Sequence, residues 1–165
     1  MPLSTVPEPF ALQTAIQLRQ RQRHELVAPG AVDAKYSQGG LVDIEYTVQY
    51  LQLRHGATVP ALRTRIRSPP CRHSTRLTLI SATVYQTLHD AYVFLRHLID
   101  ALRLASGQAH DLVLPAVDTD AFIFLARRMG YWEEQGTPAQ LAHTIAHHMQ
   151  QAARLYDAYC LYEGA

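Results

Sequence analysis

Apolar residues recur at helical spacing in five stretches of this chain, and turn-forming residues separate them. Residues 1–9 are rich in proline and polar side chains and read as a flexible lead. From Phe10 to Val27 the placement of Leu12, Ala15, Ile16 and Leu26 predicts a first helix, ended by Pro29-Gly30. Arg19, Arg21 and Arg23 alternate along it, so they spread around the helix and read as a solvated face.

The second stretch, Asp33 to Gly56, organises the rest. A lysine-bearing loop ends in Gly39-Gly40, where glycine lets the chain turn sharply, and a helix starts at Leu41. At about 100° per residue, Leu41, Ile44, Val48 and Leu51 share one side, with Asp43, Thr47 and Arg54 opposite as the solvent side. Glu45, Gln49 and Gln52 form a polar stripe between the first apolar arc and a second made by Val42, Tyr46 and Leu53. A carboxylate between apolar arcs needs a partner. Two readings stand: a buried polar network that fixes helix register, or a cleft-lining carboxylate aimed at a ligand or a neighbouring domain.

Farther on, His55-Gly56 and Pro60 mark a turn, and from Arg65 to Thr78 the apolar period is lost around adjacent prolines, so no regular helix is expected. The third helix, Thr83 to Ser106, has the clearest seam: Val84, Leu88, Ala91, Leu95, Leu98 and Leu102, spaced by fours and threes. Arg96 and Asp100 can pair on its outside, and Ser106-Gly107 closes it. Asp118 or Thr119 caps a short fourth helix with Phe122, Leu125, Ala126 and Met129 inward and Gly130 at its end. Tyr131-Trp132 is expected to pack across a bundle end. Thr137-Pro138-Ala139-Gln140 is a capping box that opens a fifth helix, with Leu141, Ile145, His148, Ala152, Leu155, Tyr159 and Tyr162 as its seam. His143 and His147 stand four apart, but no third ligand with metal spacing accompanies them. The expected fold is all-α, an up-and-down bundle of about five helices forming one domain over residues 10–165.

With 165 residues there is length for one domain with a real core. A formal net charge of +1 asks for neither nucleic acid nor an anionic membrane. Two cysteines, Cys71 and Cys160, make no disulfide framework and suit a reducing compartment. No apolar run reaches bilayer length and no secretion-signal pattern opens the chain, which points to the cytoplasm.

The motif Lys-x-x-x-Gly-Gly-Leu-x-Asp-Ile-Glu-Tyr-x-Val-Gln-Tyr-Leu, from Lys35 to Leu51, resembles the signature of the helical domain of glutamine-synthetase adenylyltransferases, shared more loosely with PII uridylyltransferases. Leu62-Arg63-Thr64, the run Ala91 to Arg96, Leu114-Pro115 and the run Leu125 to Tyr131 are similar to that family in the same order. Lys35-Tyr36-Ser37 and Leu41-Val42-Asp43 look more like the copy in the adenylylating, C-terminal half of that enzyme than the one in its deadenylylating half. Where the family pattern opens a helix with a phrase like Asn-Thr-Leu-x-x-Leu, this chain has its arginine-rich run. A one-base shift of the codons for Ile66 to Cys71 allows a phrase close to that one, so compensated frameshifts over residues 65–78 are expected, against a genuine arginine-rich loop as the plain alternative.

The resemblance implies an enzyme that transfers AMP from ATP, with magnesium, to a tyrosine of glutamine synthetase under control of a PII-type signal protein. Catalysis in that family sits in a separate nucleotidyltransferase domain, which the helical domain packs against. This chain is therefore read as a helical C-terminal part lacking that catalytic domain, inactive alone and binding no cofactor by itself. Asp43 and Glu45 also cannot form a metal pair: two apart on a helix, they diverge by about 160°. The candidate nucleotide- or cleft-lining residues are Lys35, Gly39, Gly40, Asp43, Glu45, Gln49 and Gln52, with Lys35 and the amides after Gly40 offered to a phosphate. The competing reading is a free-standing, non-enzymatic helical module that binds a partner through the Lys35 to Glu45 surface.

Overall fold

The structure, a computed structural model, describes residues 9–55, 81–107, 112–132 and 136–162. The expected lead and the Arg65 to Thr78 run, with its frameshift reading, lie outside the described residues. Five helices follow one another: α1 (Pro9–Leu26), α2 (Leu41–His55), α3 (Ala82–Ser106), α4 (Asp120–Arg128) and α5 (Pro138–Tyr156). The last runs on into a π-helical segment, Asp157–Tyr162. The only extended pairing among the described residues is a single antiparallel bridge between Asp33 and Val113. The fold is thus the expected all-α bundle. Among the described residues no helix is long and apolar enough to cross a membrane.

α3 and α5 form the central pair because each carries an unbroken apolar stripe. Leu88, Ala91, Leu95, Leu98 and Leu102 of α3 are buried against Leu141, Ile145, Met149 and Ala152 of α5. Burying a side chain of that size stabilises the fold by roughly 1.5–3 kcal/mol each. α4 closes one side with Phe122, Leu125 and Ala126, and α2 contributes Leu41 and Ile44 to the same core. A second, smaller cluster joins Tyr50 and Leu51 of α2 to Tyr156 and Cys160 at the end of α5. The seam of α5 therefore runs through Met149, Tyr156 and Cys160, where His148, Leu155 and Tyr159 were expected; these three are half-buried along its edge. The stripe has already shifted at Met149, and the π-helical segment after Tyr156 keeps Cys160 in the same cluster as Tyr156.

The caps stand largely where the residues predict them. Ser81 caps α3, Thr119 caps α4, and Thr137 with Gln140 forms the reciprocal capping box of α5. Gly107 ends α3 in the left-handed region, donating its amide to the Arg103 carbonyl. Three expectations are corrected. Asp100 turns to Arg103 at 3.5 Å, one turn ahead of Arg96's reach. Trp132 is half exposed, while Tyr131 donates its hydroxyl to Thr144 and so alone packs the bundle end. Leu26 is also exposed: none of the described side chains of α1 joins either hydrophobic cluster, and the one of them that is buried is Arg19.

Candidate functional site

The loop from Asp33 to Gly40 is built by its own side chains first. The Asp33 carboxylate accepts the amides of Lys35 and Tyr36 at 2.8 and 2.7 Å, and the Ser37 hydroxyl accepts the Asp33 amide at 2.8 Å. The Ala34 amide then donates to the Leu112 carbonyl and the Leu114 amide to that of Val32, which fastens the loop to the segment ahead of α4. Asp33 and Ala34 are buried accordingly.

Gly39 and Gly40 are both required, for different reasons. Gly39 has φ +74°, and a Cβ placed on it would stand 1.8 Å from the Met149 carbonyl oxygen of α5. Gly40 is not left-handed, but its Cβ would meet the Lys35 carbonyl at 2.6 Å. The sharp turn expected at Gly40 is thus made by Gly39, and Gly40 serves close approach.

Asp43, placed on the solvent side by the helical wheel, is fully buried, as is Thr47 one turn on. Arg19 Nε donates to Asp43 Oδ1 at 2.6 Å, and Arg23 Nη2 and the Gly39 amide donate to Oδ2 at 2.7 and 2.6 Å. Arg19 Nη2 also reaches the carbonyls of Tyr36 and Ser37, at 2.9 and 3.1 Å. The fork geometry of a guanidinium suits this bridging between carboxylate and backbone. The solvated face expected for the three arginines is therefore true of Arg21 alone, which pairs with Glu25 in the open. Arg19 and Arg23, four apart, share the inner face, and Arg23 also lies over the Tyr156 ring at 5.3 Å.

This geometry withdraws three of the seven candidates, Gly39, Gly40 and Asp43, from the surface. The amides of Leu41 and Val42 donate to the Ala34 and Lys35 carbonyls, and that of Asp43 to Gly40. The start of α2 is closed by its own loop and offers no free amides to a phosphate, which corrects the anion-binding expectation. Asp43, Gly39 and Gly40 are frame. Lys35 remains partly exposed with its ammonium 4.9 Å from the Tyr36 ring centroid, and Glu45, Gln49 and Gln52 line α2 as half-buried, exposed and half-buried side chains. The buried polar network runs through Asp43 and Thr47, not through that stripe. Among the described residues no three His, Cys, Asp or Glu side chains gather as metal ligands, and Asp43 has both oxygens engaged.

Below Asp43 the environment is apolar enough to shift two more groups. Burial pushes the Tyr156 phenol up to about 12, with the nearby Cys160 and Asp43 adding to it. Burial likewise pushes the Cys160 thiol up to about 12, against a smaller lowering influence of the Thr47 side chain.

A family model described as GlnD PII-uridylyltransferase matches residues 12–160. The chain belongs to this family. Among curated relatives, bifunctional glutamine synthetase adenylyltransferase/adenylyl-removing enzymes are similar to it. That of Streptomyces coelicolor is 36% identical over 61% of this chain, that of Streptomyces avermitilis 32% over 73%, and that of Cutibacterium acnes 30% over 86%. The chain spans 10–14% of the length of these relatives. It corresponds to a helical part of them.

Within the GlnD PII-uridylyltransferase family reading, the residues that sequence reasoning missed are Arg19, Arg23 and the backbone of Met149. Spacing offered a signal for the first two, since residues four apart share a face and Arg21 stands away from both. Nothing in the sequence marks a backbone carbonyl on α5 as the wall behind Gly39.

Proposed function

We propose that this chain is the helical part of a glutamine-synthetase adenylyltransferase and acts by position rather than by chemistry of its own. The full enzyme then transfers AMP from ATP, with magnesium, to glutamine synthetase in the cytoplasm, in response to a PII-type signal protein. A nucleotidyltransferase domain outside the described bundle performs the transfer. Lys35 and the Glu45, Gln49 and Gln52 stripe form the face that meets that domain or its nucleotide.

The observation that carries this reading is the clamp of Arg19 and Arg23 on Asp43. It holds the Asp43 carboxylate of the signature inside the bundle, so that the loop is mounted from within while Lys35 and the stripe reach the surface. With α1 docked, a mount of this kind holds the lysine in one place, which is what preorganised electrostatic contacts need.

The test is magnesium-dependent AMP transfer to glutamine synthetase. The chain alone is expected to give none, and a nucleotidyltransferase fragment of the Streptomyces coelicolor enzyme is expected to gain activity when the chain is added. Lys35→Ala and Glu45→Gln should then lower that gain without lowering the chain's melting temperature. Absence of any gain, with both partners folded, favours the free-standing interaction module.

A further inference from the structure

α1 is attached to the bundle in an unusual way. Its buried side chain is a charged one, Arg19, while Leu18 and Leu26 are about half exposed. Two guanidiniums meet one carboxylate, leaving the buried Arg19 Nη1 and Arg23 Nε without acceptors. Among its described side chains the docked helix therefore rests on an ion cluster and gains little apolar burial in return. Docking through an ion cluster is separate from the apolar seam that joins α3 to α5, so α1 can open as a unit of its own.

What α1 holds is one half of the signature loop. The first half, Asp33 to Tyr36, is tied by the Asp33 carboxylate and the Ser37 hydroxyl and needs no help. The second half has its Tyr36 and Ser37 carbonyls on Arg19, and the Gly39 amide on a carboxylate that Arg19 and Arg23 neutralise. Removing α1 strips both carbonyl contacts and both counter-charges at once, and leaves the Gly39 amide on a carboxylate that water can then reach.

We propose that Arg19 and Arg23 are positioning residues that make α1 an ionic latch on the Tyr36 to Gly40 half of the loop. When α1 undocks, that half opens with it, the ring under the Lys35 ammonium moves, and the Asp33 half stays in place. The consequence for Lys35 rests on the function proposed above; the coupling itself does not, and it is measured without any enzyme assay.

The experiment is amide hydrogen exchange of the chain followed by NMR. In the wild type, α1 amides and the Gly39 amide should open with a common equilibrium constant, distinct from that of α3 and α5. In Arg19→Lys, which keeps the charge but loses the fork, both should exchange about tenfold faster together, and the Gly39 amide resonance should shift. The Lys35 and Tyr36 amides should stay protected. Gly39 exchanging as slowly as the α5 core in the wild type, or staying protected while α1 opens in the variant, overturns the latch. If Arg19→Lys fails to fold, the wild-type comparison alone decides. Normal coupling with no gain in the AMP-transfer mixture leaves the latch standing and sinks the functional reading instead.

Discussion

The imidazole of His148 is stacked on the ring of Phe94, with centroids 4.5 Å apart and planes at 27°, so that α5 meets α3 through a titratable group. Its pKa is lowered from the ordinary 6.5, first by burial and then by the neighbouring His147, against a smaller opposing pull from Asp90. A histidine with a depressed folded pKa contributes stability that is present above 6.5 and lost as pH falls through the folded value. Melting temperature should therefore drop between about pH 7.5 and about pH 5.5, and His148→Phe should show a smaller drop over the same window. An unchanged drop in the variant would assign the acid sensitivity elsewhere.

Gly39→Ala should be among the most destabilising single changes in the chain. The new methyl group must enter the Met149 carbonyl, and the φ of +74° already disfavours any side chain. A loss of about 3 kcal/mol or more in urea unfolding is expected. Gly107→Ala is the control, also left-handed at φ +67° but with open space around it, and should lose only about 1 kcal/mol.

Asp43→Ala leaves the fully buried Arg19 without its carboxylate and should cost about 3–5 kcal/mol by the same measurement. Arg21→Ala removes an ion pair of which both side chains are more than half exposed, and should stay within about 0.5 kcal/mol of wild type.

The Cys160 thiol, pushed up to about 12, should be inert to a thiol-specific chromogenic reagent in the native state near neutral pH. In a Cys71→Ser background, colour should develop at the rate of unfolding and become immediate in denaturant. Fast labelling under native conditions would show that the end of α5 opens far more readily than its packing on Tyr50 and Leu51 indicates.

Much of the bundle is legible in the sequence because its core elements follow a single rule. The α3 seam, the Thr119 and Thr137 caps and the Gly107 stop are local statements about spacing and hydrogen bonding, and each holds whatever the neighbours do. The site is legible only in part, since its decisive contacts are not local. A helical wheel puts Asp43 with Thr47 and Arg54 on a polar face; it becomes interior only when an arginine from a helix more than twenty residues earlier covers it. The resemblance of the Lys35 to Leu51 motif pointed to the right family, yet the motif's carboxylate serves the frame of the loop. For the same reason the stripe of Glu45, Gln49 and Gln52, which the wheel singled out, carries none of the buried network.

The approach of Gly39 to Met149 is made backbone to backbone, and it works as a gauge. It takes no account of the side chain at position 149, which is held by the core and not by this contact. It does measure how far along α5 the carbonyl stands. A deletion of one residue between the Thr137 cap and Met149 would turn a different carbonyl, or a side chain, towards the loop. Descendants of this chain can rewrite the surface of α5 freely, but they must keep count.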